Sequence, residues 1–142
     1  MNQPLYTVDI LRLAASIPHL GELADPDGWS EARSPTCGST VAVAVKLDEA
    51  GRVAALGQQV QACAFGQASA ALMGAHAVGR DATEIERGRA EFAAWLDGAR
   101  DNPGVWPGLA ALAPARSRTA RHGAMLLPFR ALLAAVADAQ GR

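Results

Sequence analysis

Pro35-Thr36-Cys37-Gly38-Ser39-Thr40-Val41-Ala42-Val43-Ala44-Val45-Lys46-Leu47-Asp48-Glu49-Ala50-Gly51-Arg52-Val53-Ala54-Ala55-Leu56-Gly57-Gln58-Gln59-Val60-Gln61-Ala62-Cys63 is the stretch from which the fold is read. Val41, Val43 and Val45 alternate with Ala42, Ala44 and Lys46. That period of two predicts a strand over Thr40–Leu47 with one bulky face and one small or polar face. Asp48-Glu49-Ala50-Gly51 reads as a turn, because Gly51 can take positive φ. Val53–Gln61 returns as a second strand, so 40–61 forms an antiparallel hairpin. Cys37 lies just ahead of the first strand and Cys63 just behind the second. The two ends of an antiparallel pair are neighbours, so two thiols distant in sequence can converge.

Upstream, residues 4–17 read as a helix with Tyr6, Ile10, Leu13 and Ile17 on one face. Pro4 suits its first turn and Pro18 stops it. Gly21, Asp25-Pro26-Asp27-Gly28 and Ser34-Pro35 are loop signals, and a short edge strand fits residues 29–33. Downstream of Cys63 the pattern is helical, with Ala64, Ala68, Ala70, Ala71, Leu72 and Met73 as good helix formers. Gly79 and Asp81 separate this helix from the next, for which Thr83 and Glu86 fit a capping box. Ile85, Phe92 and Leu96 line that helix to about Gly98. Asp101-Asn102-Pro103-Gly104 is a turn, 105–112 an apolar segment readable as a short helix, and 114–120 an Arg-rich connector. Pro128 opens or kinks a last helix carrying Leu132, Leu133 and Val136. Helix, small antiparallel sheet and then helices is an α+β order.

The chain has 142 residues, half of them hydrophobic, which suffices for one core, and the expected organisation is a single domain over 1–142. Its formal net charge of −1 gives no global field toward nucleic acid or an acidic membrane. No uninterrupted apolar run approaches the ~20 residues of a membrane span. Met1-Asn2-Gln3-Pro4 has neither the basic nor the apolar region of a secretory signal, so a cytoplasmic protein is expected. Two cysteines are too few for a disulfide framework and in a reducing compartment remain thiols, bind metal or do redox chemistry.

Cys63 begins a helix, where unpaired N–H groups and the helix dipole suit a metal ligand or a sulfur nucleophile. Gly38 lets backbone N–H groups approach a sulfur or metal beside Cys37. His122 supplies an imidazole, a common partner of thiolates on zinc or iron; the plainer alternative is a surface histidine at a helix start. His19, after Pro18, reads as a helix-end cap, and His76 as a partly exposed residue of an Ala-rich helix. Arg116, Arg118 and Arg121 read equally well as a solvated loop or as a dock for an acidic partner. No nucleotide-binding glycine motif and no G-x-S-x-G elbow is present, so ordinary nucleotide-binding and hydrolase chemistries find no support.

Cys37-Gly38-Ser39 before a hairpin, Ala62-Cys63-Ala64 leading through Ala68-Ser69 into a helix, and Arg121-His122 before the last helix resemble the IscU/NifU N-terminal type of iron–sulfur cluster assembly scaffold. The resemblance runs from about Leu5 to Val136. It implies a three-stranded antiparallel sheet with helices packed on one face, shared with SufU and SufE-like proteins. It implies a non-enzymatic scaffold that receives sulfur from a cysteine desulfurase, holds iron or a [2Fe–2S] cluster, or zinc, and passes the cluster to apo iron–sulfur proteins. The site carried over is Cys37, Cys63 and His122. The family's aspartate position is Ser39 here, its third cysteine is Gly123, and the Leu-Pro-Pro-Val-Lys chaperone motif is absent. Two alternatives stand beside the scaffold: a degenerate member acting as an interaction module, and a SufE-type relay carrying persulfide on one cysteine.

Overall fold

The computed structural model describes residues 6–35 and 38–141. Cys37 and Pro4, for which the sequence suggested roles, lie outside the described residues. The elements are α1 (Val8–Ala15), β1 (Gly28–Arg33), β2 (Thr40–Leu47), β3 (Val53–Gln61), α2 (Ala64–His76), α3 (Ala82–Leu96), a 3-10 helix (Leu109–Ala115) and α4 (Thr119–Gln140). This is the expected α+β fold with a three-stranded antiparallel sheet in the order β1-β2-β3.

Thr40 pairs with Gln61, Val43 with Gln58 and Val45 with Leu56, so the hairpin register follows the turn read from Asp48–Gly51. Gly51 takes φ +79°, and Asp48 Oδ1 accepts from the N–H groups of Ala50 and Arg52. β1 pairs along β2 from Gly28–Val45 to Arg33–Thr40.

Val41, Val43 and Val45 are fully buried beneath α4, which also packs against β1, α2 and α3. α4 is therefore apolar around most of its circumference rather than along one stripe, as a central core helix must be. By length and composition alone it is long enough to cross a membrane, but 61% of its apolar window is buried inside this fold. It approaches β1 closely: a side chain on Gly28 would collide with Ala135 and Ala139, and the Trp29 N–H donates to Asp138 Oδ2 at 2.9 Å. Pro128 neither opens α4 nor ends it, since the helix starts at Thr119 and runs on to Gln140. Its missing N–H releases the Ala124 carbonyl from the helix ladder.

The opposite sheet face is less open than alternation suggested, for Ala42 and Ala44 are also buried. The chain after α1 runs beside β3: the Gln58 N–H donates to His19 O and the Gly21 N–H to Gln58 O, both at 2.9 Å. Gly57 has no side chain to obstruct it, and a Cβ there would stand 2.8 Å from Gly21 O.

Several boundaries differ from expectation for identifiable reasons. α1 starts at Val8, because Thr7 Oγ1 accepts from the Ile10 N–H at 3.1 Å and sets the cap. Tyr6 precedes the helix and stacks on Phe65 at 5.2 Å. α1 ends at Ala15, so Ile17 lies beyond it. The capping box of α3 is Asp81 with Glu84, not Thr83 with Glu86. Val53 exchanges hydrogen bonds with Gly79 and Arg80, which places Asp81 at the cap. The short helix after the 101–104 turn is a 3-10 segment that includes Pro114, which shortens the Arg-rich connector.

Candidate metal centre

Cys63 is the N-cap residue of α2, with extended backbone (φ −66°, ψ 171°) and a half-buried side chain. Its carbonyl already accepts from the Gln67 N–H at 2.9 Å, while its side chain makes no capping hydrogen bond. The backbone thus turns from β3 into α2 at Cys63, and the first N–H groups of α2 receive no hydrogen bond from its side chain.

The β1–β2 loop closes beside this turn because Thr40 is paired with Gln61. Ser34 N–H donates to Ser39 O at 2.8 Å, and Gly38 N–H to Ser34 O at 3.1 Å. Gly38 adopts φ +71°, the left-handed conformation for which glycine suits this tight segment. Ser39, where the resembled family carries an aspartate, is buried. The described residues flanking Cys37 therefore lie at the same end of the hairpin as Cys63.

α4 brings its N-terminal end to the same region. Gly66 lies against Ala124: a Cβ would be 3.3 Å from Ala124 O and 3.6 Å from Ala124 Cβ. Ser69 Oγ donates to Met125 O in the next step of the contact. Two residues before Ala124 stands His122, in the first turn of α4, with its side chain 12% exposed. Gly123, where the resemblance would put a third cysteine, adds no side-chain donor.

The imidazole of His122 engages the α3 side of the helix. Nε2 is 2.7 Å from Arg116 O, and Nδ1 is 4.0 Å from Asp97 Oδ1 at the C-cap of α3. A carbonyl oxygen only accepts, so Nε2 carries the proton and the lone pair of the neutral ring is on Nδ1. Among the described residues, no three His, Cys, Asp or Glu side chains form a group able to hold a metal ion.

The other residues singled out in the sequence take different places. His19 is exposed with φ +62°, four residues past the end of α1, and its carbonyl pairs with β3; it does not cap that helix. His76 is half-buried in the last turn of α2, and its carbonyl accepts from Arg80 Nε at 2.7 Å. Arg116 is not a solvated loop residue: Nε donates to Trp95 O at 3.0 Å, and the guanidinium lies 4.8 Å over the Trp95 ring. Arg118 is exposed at the N-cap of α4. The partners of His122, Arg116 and Asp97, were missed in the sequence. Asp97 comes near only through the docking of α3 against α4, and Arg116, six residues upstream, through the turn from the 3-10 helix into α4.

The family model described as NifU-like N terminal domain matches residues 5–94, a stretch containing both cysteines but not His122. The solved structure of a nitrogen-fixing NifU-like protein (N-terminal) from Brucella abortus is 31% identical, with 97% of this chain and 96% of that chain covered and a TM-score of 0.90. A putative iron–sulfur cluster assembly scaffold protein for the SUF system from Fervidobacterium islandicum shares the fold at 18% identity and TM-score 0.84, with coverages of 93% and 96%. Among curated proteins nothing matches. The helix-start cysteine, the hairpin before it and a match over most of the chain agree: this chain belongs to the NifU-like N-terminal domain family.

Proposed function

We propose that this chain is an iron–sulfur cluster assembly scaffold that takes up iron or a [2Fe–2S] cluster as cargo at Cys37, Cys63 and His122 and passes it to apo-proteins. The carrying observation is Cys63, which heads α2 at the hairpin end adjoining the Gly38-Ser39 loop, within a member of the NifU-like family. A cysteine desulfurase is the sulfur source in this reading, and the reducing cytoplasm is the compartment, where both thiols stay available. The protein contributes positioning and donors rather than catalysis.

The donor set decides how firmly cargo is held. Biological [2Fe–2S] clusters ordinarily have four protein ligands, and structural zinc sites also have four. Two thiols and one imidazole leave a place for solvent or for a residue of the recipient. Such a site holds its cargo weakly, which suits transfer, and admits zinc as a competitor. Anaerobic addition of ferrous iron and sulfide to the wild type, Cys63→Ala and His122→Ala tests this. The wild type is expected to gain charge-transfer absorbance and metal that Cys63→Ala lacks; equal iron in the two would remove the site.

One observation favours a second reading, the interaction module. His122 directs both ring nitrogens at α3-side groups, and no three-donor group exists among the described residues. A wild type that binds neither cluster nor zinc would select it.

A further inference from the structure

We infer that Arg116 is a positioning residue for His122, fixing its imidazole as the Nε2–H tautomer so that Nδ1 is the donor atom it can offer a metal. The inference deepens the proposed scaffold reading and rests on it for the use to which that donor is put.

The geometry has two linked halves. The Arg116 side chain is clamped to the C-terminal end of α3 and the turn after it. Nε donates to Trp95 O at 3.0 Å, Nη2 reaches Arg100 O at 3.5 Å, and the guanidinium stacks 4.8 Å over the Trp95 ring. The main chain of Arg116 is clamped as well, since its own N–H donates to Ala113 O at 3.1 Å at the end of the 3-10 helix. The Arg116 carbonyl is therefore a fixed acceptor, and it lies 2.7 Å from His122 Nε2. A short bond to a backbone carbonyl that cannot reorient selects one tautomer and one ring angle. A ligating histidine is commonly held in this way, with the non-ligating N–H on a carbonyl or carboxylate.

The remaining nitrogen, Nδ1, lies on the side of Asp97 Oδ1, 4.0 Å away. That carboxylate is 77% exposed and, at 4.0 Å, lies beyond hydrogen-bond reach of Nδ1, so it does not occupy the lone pair. Arginine suits the clamp better than lysine, because only the planar guanidinium can stack on Trp95 while donating through its fork.

The experiment is nitrogen-15 NMR of the imidazoles in metal-free protein at alkaline pH, on the wild type, Arg116→Ala, Arg116→Lys and His122→Ala, with His122→Ala assigning the signals. The wild type is expected to show His122 with the proton on Nε2. Arg116→Ala is expected to show a mixture of tautomers and an apparent Co(II) affinity lowered about tenfold. Arg116→Lys is expected to fall between them. A wild-type ring protonated on Nδ1, or an unchanged tautomer in a folded Arg116→Ala, overturns the inference. If Arg116→Ala does not fold, the wild-type tautomer and Arg116→Lys still decide. Co(II) binding to His122→Ala speaks separately to the proposed site: unchanged affinity removes His122 from it and leaves the tautomer result intact.

Discussion

Glu91 shows how one side chain secures an irregular segment. Its Oε1 accepts from the Val105 N–H at 3.0 Å, while Arg100 and Arg87 approach Oε2 at 3.2 Å and 3.5 Å. Gly104, with φ +97°, passes so near that a Cβ there would overlap the Glu91 side chain. The Val105 N–H, and then Arg100 and Arg87, hold the Glu91 carboxyl below its ordinary value of 4.5, with burial opposing. The unfolded chain consequently takes up this proton first as pH falls. The stabilisation is complete above the ordinary carboxylate range and is lost as pH drops through the lower folded value. Glu86, lowered by its hydrogen bond to Arg89, acts in the same direction. Glu91→Gln is therefore expected to unfold at lower urea than the wild type at pH 7, with the difference shrinking toward pH 3. A constant difference across that range would show that the carboxylate charge is not what secures the turn. At this scale the sequence was partly legible. Cys63 could be placed at a helix start because Ala-rich sequence follows it, whereas the ties of Glu91 to Val105 and Arg100 and of His122 to Asp97 depend on residues brought in by tertiary contact.

Among the elements, the crossing of α2 and α4 sets the place of the cysteine turn. Pro128 leaves the Ala124 carbonyl without its helical donor, and Gly66 allows α2 to lie against it. A Cβ on Gly66 would also stand 2.7 Å from Ala62 Cβ. Alanine in a helix interior gains about 1 kcal/mol over glycine, but overpacking between inflexible neighbours costs about 1–3 kcal/mol. Neither a Cβ nor a helix carbonyl can move aside, so the clash prevails. Gly66→Ala is expected to lower the urea midpoint and, by displacing the Ala62-Cys63 turn, to reduce iron uptake as well. An unaltered midpoint would mean that the two helices separate without cost. Ser69→Ala, one turn further along, removes the buried hydroxyl donated to Met125 O and is expected to cost about 1 kcal/mol in the same assay. The hairpin strands were legible to the residue, because alternation and a glycine turn are local signals. The α3 cap was read two residues late, because Asp81-x-x-Glu84 and Thr83-x-x-Glu86 both fit the pattern. The strand-like pairing of Val53 with Gly79 and Arg80 settled it.

Across the whole molecule, the buried residues of the sheet and all four helices join in one apolar cluster. The order of helix, sheet and helices was legible, but not which helix covers the sheet. α4 is apolar on most sides, so its sequence alone offers no preferred face. Trp106, from the apolar segment also readable as a short helix, links three elements. Its Nε1–H donates to Leu72 O of α2 at 2.9 Å, its ring fits against Gly88 of α3, and it meets Phe129 of α4 edge-on at 5.1 Å. Arg80 lies over the same ring at 4.7 Å. Truncating such a side chain forfeits its burial and leaves a cavity between helices that cannot all collapse toward one another. Trp106→Ala is expected to cost about 3–5 kcal/mol, lowering Tm by on the order of 10 °C. Because the cluster is continuous, that loss belongs to one cooperative transition. Far-UV circular dichroism and the fluorescence of the remaining tryptophans, Trp29 on the sheet and Trp95 on α3, are expected to move together to the lower temperature. If Trp95 fluorescence melted early while the sheet signal stayed at the wild-type temperature, α3 and α4 would be a separately unfolding unit. His122, held from the α3 side, would then lose its position before Cys63 does.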